Sequence, residues 1–498
     1  MTNYIKQPAW AVLPLILLVA FAVNSFTLQS QSLRLDEAQS IWVTTKSVPE
    51  LLKITAEDVH VPLYFLLLHV WLQIFGTDVV VARSLSLVFF ITSLFALYQL
   101  TKQVSNKKIA ILSVVLFSFS PFIVWYSSES RMYSLFVLMS ILNSIFFLKF
   151  LKSGGVEGKF GLFLSTLFGF LTHYFFLFLV AAQFLYLLTT KIIKVQKKRD
   201  FRVVFLFTAL ILMDLILFSP WIIYMIGLGF ASNTLPMIPL PTSYNLFQTL
   251  VNFLFGFPPQ DIQSIIISMW PFLVIIIFLI FTQKVLFRPS FMGYFFTIFF
   301  LPMILAFAAS YVFKPLFLTR YLIFVSPFLF IITAWLLSSY AKKFTYVLSF
   351  VLIFFMTGLL FLQNTSASSP IRENYQSAVT YLEKKATPRD IIALSPPFTI
   401  YPVEYYYRGQ TKVATIPDWD RFSKGGIPSF SIENLQEQIK KYQEQYLRVF
   451  VVFSYDQGNK KDVEDYFERN FHRLDMQTFS QNLEIRVYRL RYDVDLPI

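Results

Sequence analysis

No cysteine occurs in the sequence, which excludes disulfides, a thiol nucleophile and thiolate metal ligation. Histidine is nearly absent as well. There are four, none in an HExxH or comparable spacing, so no zinc motif is present, although four imidazoles do not by themselves exclude a metal. Charge is scarce too. Only 14% of the 498 residues are Asp, Glu, Lys or Arg, where a soluble domain carries about a quarter, and a soluble globular protein is excluded. No internal repeat is visible, which speaks against the paired halves of many transporters.

What fills the chain instead is apolar. Hydrophobic residues make up 56% and mean hydropathy is +0.59, and runs of about 20 apolar residues recur through the first three quarters, the pattern of a polytopic membrane protein. The 59 phenylalanines suit lipid-facing and interhelical packing rather than a cofactor box. The net charge of +13 superficially resembles a nucleic-acid signal, but Lys and Arg concentrate in short loops between apolar runs. That distribution reports orientation and implies no nucleic-acid partner.

Candidate spans fall at about 9–28, 79–101, 109–126, 132–151, 160–173, 175–190, 203–222, 263–282, 291–312, 320–340 and 344–362, eleven in all. The first has no small-residue cleavage site and reads as a retained span rather than a cleaved signal peptide. Lys102, Lys107, Lys108, Lys149, Lys152, Lys159, the run Lys191 to Arg202, Lys284, Arg288, Lys342 and Lys343 then share one side. This puts the N-terminus in the cytoplasm and the C-terminus outside a cell membrane. The apolar stretch Val61 to Phe75 is short for a span, and a crossing there would invert every later loop, so it is expected as an interfacial or re-entrant helix on the outer face. A second outer loop, about Ile223 to Gln260, is rich in Pro and polar residues and could serve as an acceptor platform or lid.

Composition changes near Ser366. Residues 370–498 alternate helix and strand patterns: NYQSAVTYLEKKA, ENLQEQIKKYQEQY and KKDVEDYFERNF as helices, DIIALSPPF, LRVFVVFSY and EIRVYRLRY as strands. No Gly-rich phosphate loop accompanies them. The expected fold class is therefore an α-helical polytopic membrane protein with a C-terminal α/β extracytoplasmic domain. Residues 1–365 form the membrane module, with a structured first outer loop at 29–78, and residues 366–498 the outer domain.

The candidate site residues gather on the outer side. Asp36 and Glu37 open the first outer loop. Asp36-Glu37-Ala38-Gln39 fits a capping box in which Asp36 caps a short helix and Gln39 reaches back, and Ser47 to Glu50 fits a second. A cap and a base are compatible, because a carboxylate at a helix N-terminus stays ionised and can take a proton from an acceptor. Glu129, Arg131 and Tyr133 lie in WYSSESRMYSL. An exposed hairpin tip with a weak ion pair is one reading; charges facing the bundle interior, with Arg131 on a lipid phosphate, is the other. Arg83 and Arg320 sit near outer ends of spans, where they could snorkel to headgroups or complete an anion site. His60 and the His173-Tyr174 pair could line that site or simply pack. Asp214 lies nominally mid-span.

Taken in order, these residues resemble a family. Asp36-Glu37, His60-x-Pro62-Leu63-Tyr64, Arg83-x-x-Ser86, a Ser-Pro ahead of Glu129-x-Arg131-Met132-Tyr133, Thr172-His173-Tyr174, Arg320-Tyr321-Leu322, and the run from Asn374 through Tyr405-Tyr406-Tyr407 are similar to the bacterial C-type glycosyltransferases (GT-C fold). The similarity is to the group related to protein O-mannosyltransferases and lipid A aminoarabinose transferases. Val61 replaces a Pro and Ser130 an Ala of the usual pattern. The resemblance implies a GT-C module of about eleven helices. It implies a polyprenyl-phosphate-linked sugar as donor and an extracytoplasmic protein, lipid or glycan as acceptor, with membrane lipids around it. It also implies inverting transfer, with Asp36 as base, Glu37 beside it, and Arg131, Arg320 and Arg83 on the donor phosphate. Glu129, His60, Tyr133, His173, Tyr174 and Tyr321 would contact substrate. A divalent metal is compatible with this set and not required by it. A transporter or flippase, and a polysaccharide ligase of similar build, remain as rival readings.

Overall fold

The computed structural model describes residues 12–29, 31–193, 198–228, 238–268, 290–366, 372–422, 427–456 and 458–491. The expected span at 263–282 lies mostly outside them. Contacts divide the described chain into two units. One holds Gln29–Val59 together with the C-terminal region, and the other holds the remaining helices. The first outer loop thus divides at Val59. Its leading half, assigned from sequence to the membrane module, packs with the C-terminal unit, and His60 onward packs with the helices.

Among the described residues of the helical unit, six helices are long and apolar enough to cross a bilayer: Val79–Val104, Tyr133–Ser153, Phe201–Leu228, Met292–Val312, Thr319–Ser338 and Lys342–Thr365. Lys107–Ser118 and Pro121–Ser127 pass together but meet at 68°, making a seventh if counted as one. The sequence predicts one straight span there. The bend has a local cause: the chain stops at Phe119, then restarts with the Ser120 side chain accepting from Ile123 N–H and proline at the first helical position. The shortfall from eleven lies in shorter helices, Val12–Thr27, Val156–Phe170 and Phe176–Leu187, and in the span outside the described residues. Leu63–Phe75 is a 13-residue apolar helix, about 20 Å long at helical rise and shorter than the hydrocarbon core. The predicted second loop is partly helical as well. Lys198–Leu228 runs on past Pro220, and Ser243–Phe255 forms a further helix.

The helices pack as membrane helices do. Phe344, Phe350, Phe354 and Phe361 stand exposed along Lys342–Thr365, a lipid-facing stripe. Between Tyr133–Ser153 and Val156–Phe170 small residues allow close approach: a Cβ on Gly158 would lie 2.8 Å from the Phe150 amide nitrogen. Polar side chains join the bundle. Gln183 donates to Asn143 Oδ1 at 2.8 Å and to the Tyr294 hydroxyl at 3.0 Å, and Asn143 donates to Thr166 at 2.9 Å.

The C-terminal region is a five-stranded sheet, β1 Ile391–Ser395, β2 Lys412–Thr415, β3 Arg448–Phe453, β4 His472–Ser480 and β5 Leu483–Arg489, in the order β2-β1-β3-β5-β4. The first three are parallel, and β5 pairs antiparallel with β3 and β4. Helices cover both faces. Ile392, Leu394, Phe450 and Val452 pack toward Tyr375–Lys385, while Ile391, Ala393, Val449, Val451 and Phe453 pack toward Ile432–Gln445 and Lys460–Asn470. Two-sided burial is why β1 and β3 read as unbroken apolar runs. At the sheet end Asp390, 1% exposed, takes both arms of Arg448, at 2.9 and 2.8 Å, and the Thr387 amide and hydroxyl at 2.8 Å each. Asp390→Ala strips four donors at once. It is expected to cost about 3 kcal/mol, read as a lowered unfolding midpoint of the full-length protein in detergent.

Candidate functional site

Glu129 and Arg131 stand in the tight turn between Pro121–Ser127 and Tyr133–Ser153. They are not a solvated hairpin tip: Glu129 is 2% and Arg131 5% exposed. The turn closes on itself, with Arg131 N–H donating to the Glu129 carbonyl at 2.7 Å. It is pinned from the Val79–Val104 helix, where Ser86 donates to the Arg131 carbonyl at 3.3 Å and lies 3.0 Å from the Tyr64 hydroxyl. The Arg131 guanidinium reaches His60 Nε2 at 2.8 Å. Arginine can only donate, so Nε2 accepts and the ring carries its proton on Nδ1.

The Thr172–Phe175 turn supplies the next residues. His173 stacks on Phe136, ring centroids 4.7 Å apart and 14° between planes, and its Nδ1 accepts the Phe175 N–H at 3.1 Å. Burial pushes its pKa down to about 3, and the charges of Arg131 and Arg320 act in the same direction. It is therefore a neutral ring close to two guanidiniums. Tyr174 lies with its hydroxyl 3.1 Å from the His60 carbonyl and 3.0 Å from Met225 Sδ. Tyr321, in the 3-10 turn Thr319–Val325, sits 5.2 Å from the His173 ring, and Arg320 lies over it at 5.5 Å. The charges of Arg320, Arg131 and Glu129 all act on the Tyr133 hydroxyl. His60, Glu129, Arg131, Tyr133, His173, Tyr174, Arg320 and Tyr321 thus converge in one region of the helical unit, with Glu129, Arg131, Tyr133 and His173 buried and the other four half-buried. Two guanidiniums among neutral, hydrogen-bonding rings are suited to a phosphate.

Arg83 is placed differently. It is fully buried and donates to the Leu28 carbonyl at 2.7 Å, which removes the snorkelling reading. Asp214 is likewise fully buried, on the Phe201–Leu228 span.

Asp36 and Glu37 belong to the other unit. The helix they open runs Leu35–Thr44 with Arg34 at its N-cap. The predicted box, Asp36 with Gln39, is therefore corrected: Glu37, at the third helical position and fully buried, accepts the Arg34 N–H at 3.1 Å, while Gln39 donates to Asp58 at 3.0 Å. The register is shifted by two residues because the helix starts at Leu35, ahead of both acids, and not at Glu37. Asp36 falls at the second helical position, half-buried. The second predicted helix is present as Val48–Glu57, but Ser47 makes no side-chain cap bond.

Sequence reasoning missed one neighbour of this turn. Glu373, 3% exposed, accepts the Leu35 N–H at 3.0 Å and the Tyr455 hydroxyl, with Arg34 Nε at 3.7 Å. Its only sequence signal is its place beside Asn374, where the family-like C-terminal run begins. Among the described residues no three of His, Asp and Glu come together as a metal-ligating group.

The comparisons with known proteins agree with this architecture. The sequence profile of the dolichyl-phosphate-mannose-protein mannosyltransferase family matches residues 59–224, a third of the chain that carries His60, Arg83, Glu129, Arg131, Tyr133, His173 and Tyr174. By sequence alone, no curated protein matches. Among solved structures, ArnT from Cupriavidus metallidurans bound to undecaprenyl phosphate is similar at TM-score 0.62 and 10% identity, over 99% of this chain and 100% of that one. The apo oligosaccharyltransferase of Archaeoglobus fulgidus is similar at 0.52 and 12%, over 90% and 70%. The arabinofuranosyltransferase AftD from mycobacteria is similar at 0.50 and 12%, over 96% and 40%. At these identities the likeness is one of fold, and the fold is that of the GT-C membrane glycosyltransferases, as the ordered motifs imply. The chain is accordingly a multi-pass membrane protein of that architecture.

Proposed function

We propose that the protein is a membrane glycosyltransferase that moves a sugar from a polyprenyl-phosphate donor to an extracytoplasmic acceptor, inverting the anomeric centre. The observation that carries this reading is the enclosed Arg131, held against His60 Nε2 and close to the neutral His173 and to Arg320, within the stretch matched by the mannosyltransferase profile. The ArnT relative in fold was solved with undecaprenyl phosphate, a lipid of the chemistry such a site would hold. The Lys/Arg-rich loops support a cytoplasmic N-terminus and an outer C-terminal region.

In the proposed reaction the acceptor oxygen or nitrogen attacks the anomeric carbon from the face opposite the phosphate. The new glycosidic bond forms as the carbon–oxygen bond to phosphate breaks, and Asp36 takes the acceptor's proton. Charge builds on the departing polyprenyl phosphate, where Arg131 and Arg320 stabilise it more than in the ground state. Arg83, enclosed and bonded to Leu28, has a supporting place. Glu37 shapes the turn that carries Asp36, and Glu129, Tyr133, His173, Tyr174 and Tyr321 border donor and sugar.

The test is transfer by the purified protein in detergent from radiolabelled polyprenyl-phosphate sugars to a mixed extract of envelope acceptors. Labelled product is the expected outcome, and its analysis names sugar and acceptor. Absence of both donor binding and transfer would overturn the reading and favour a transport role.

A further inference from the structure

The chain segment leading into the Leu35–Thr44 helix is bonded to the C-terminal region at every residue from Ser32 to Leu35. Ser32 Oγ donates to the Glu373 carbonyl and accepts the Tyr375 N–H at 3.1 Å. Leu33 N–H donates to the Tyr406 hydroxyl at 2.8 Å. Arg34 lies beside the Glu373 carboxylate, and Leu35 N–H donates to its Oε2 at 3.0 Å. The other oxygen, Oε1, accepts the Tyr455 hydroxyl. The first amides of a helix have no partners of their own. Here two carboxylates satisfy them: Glu37 takes Arg34 N–H from within the turn, and Glu373 takes Leu35 N–H from the C-terminal region. Asp36 is the residue directly after that second amide.

The far end of the same helix is held as well. Trp42 packs on Tyr401 at 5.1 Å, and Arg421, paired with Glu404, lies 4.7 Å over the Trp42 ring. That contact fixes the helix along its length. The Glu373 carboxylate acts at the other end, on the amide next to Asp36.

We infer that Glu373 is a positioning residue for transfer, setting the turn that presents Asp36 through the Leu35 amide and itself braced by Tyr455. The inference rests on the reading of Asp36 as the base. Burial raises the Glu373 pKa, and Arg34, the Tyr455 hydroxyl and the Leu35 amide oppose the rise. The Asp36 charge adds to it, which marks the two carboxyls as close neighbours. On this view Glu373 acts on turnover through the Leu35 amide, because a displacement of about 1 Å at a reacting group costs on the order of 100-fold in rate.

The experiment compares full-length wild type, Glu373→Ala, Glu373→Gln, Tyr455→Phe and Asp36→Asn in the labelled-donor assay, reading kcat, KM for donor and acceptor, and the thermal midpoint. Glu373→Ala is expected to lower kcat about 100-fold with donor KM unchanged. Glu373→Gln keeps an oxygen for Leu35 and an amide for Tyr455, and should return kcat to within about fivefold of wild type. Tyr455→Phe should lower kcat by a smaller factor and add nothing on top of Glu373→Ala. A Glu373→Ala enzyme with wild-type kcat, beside an inactive Asp36→Asn, overturns the inference and leaves the base assignment standing. An active Asp36→Asn removes the base assignment and the inference with it. If Glu373→Ala does not fold, Tyr455→Phe decides, and an unchanged kcat there overturns the inference.

Discussion

Asp36→Asn is expected to lower transfer by about 10²- to 10⁴-fold, the range lost when a positioned proton acceptor is removed, while donor binding stays at wild-type strength. The substitution suits the question because the fold does not depend on the Asp36 carboxylate for its cap. The Arg34 amide is met by Glu37 and the Leu35 amide by Glu373. The part of the loss that falls on the helix dipole is about 0.3 to 1 kcal/mol. Neutral Glu37→Gln should differ from it in stability. Its side chain is fully buried and holds the turn, so stability should fall along with rate, and donor affinity measured by titration in detergent should separate the two variants. Activity of Asp36→Asn within about threefold of wild type would remove it as the base, since such a factor is far below what general-base loss produces.

How much of this was legible in the sequence follows from the range over which each feature is encoded. Spans were readable because hydropathy accumulates locally, and the same locality hid the 68° break before Pro121, since Phe119-Ser120 barely interrupts an apolar run. Strands β1 and β3 were readable as continuous apolar segments covered on both faces. Strands β2, KVAT, and β4, HRLDMQTFS, were not. They are the two edges of the sheet, and an edge strand with an exposed face has no buried periodicity to show. The site divides along the same line. Its residue types and order were visible, through the family-like motifs. Burial of Glu129 and Arg131 was not, because their turn is enclosed by helices distant in sequence. Glu373 was the least visible of all: its bond to Leu35 joins residues 338 apart, and no local pattern carries a contact of that kind. The capping register failed by two residues for a smaller reason. Asp36 with Gln39 and Arg34 with Glu37 have the same spacing, and the local sequence does not show that the cap is Arg34 rather than Asp36.

Arg131→Ala is expected to produce the other large effect, a loss of about 10²- to 10³-fold in kcat/KM, the range found when a charge-stabilising donor is removed from an enclosed site. Because the departing phosphate gains charge as the sugar leaves, the loss should fall on kcat as well as on donor affinity. A purely structural Arg131 would behave differently. It bonds His60 at 2.8 Å and its backbone ties the turn to Glu129 and Ser86, so removing a structural side chain would lower the unfolding midpoint and leave kcat per folded molecule intact. Arg131→Lys sharpens the contrast. It keeps the positive charge and much of the stem but cannot grip phosphate and His60 through a planar fork. If Arg131 serves the phosphate, the Arg131→Lys variant should recover donor binding in part and turnover poorly. Full recovery of both by lysine would reduce its role to charge alone. An Arg131→Ala protein with wild-type rates at every donor concentration would return the residue to the packing of the turn and leave Arg320 as the remaining candidate for the phosphate.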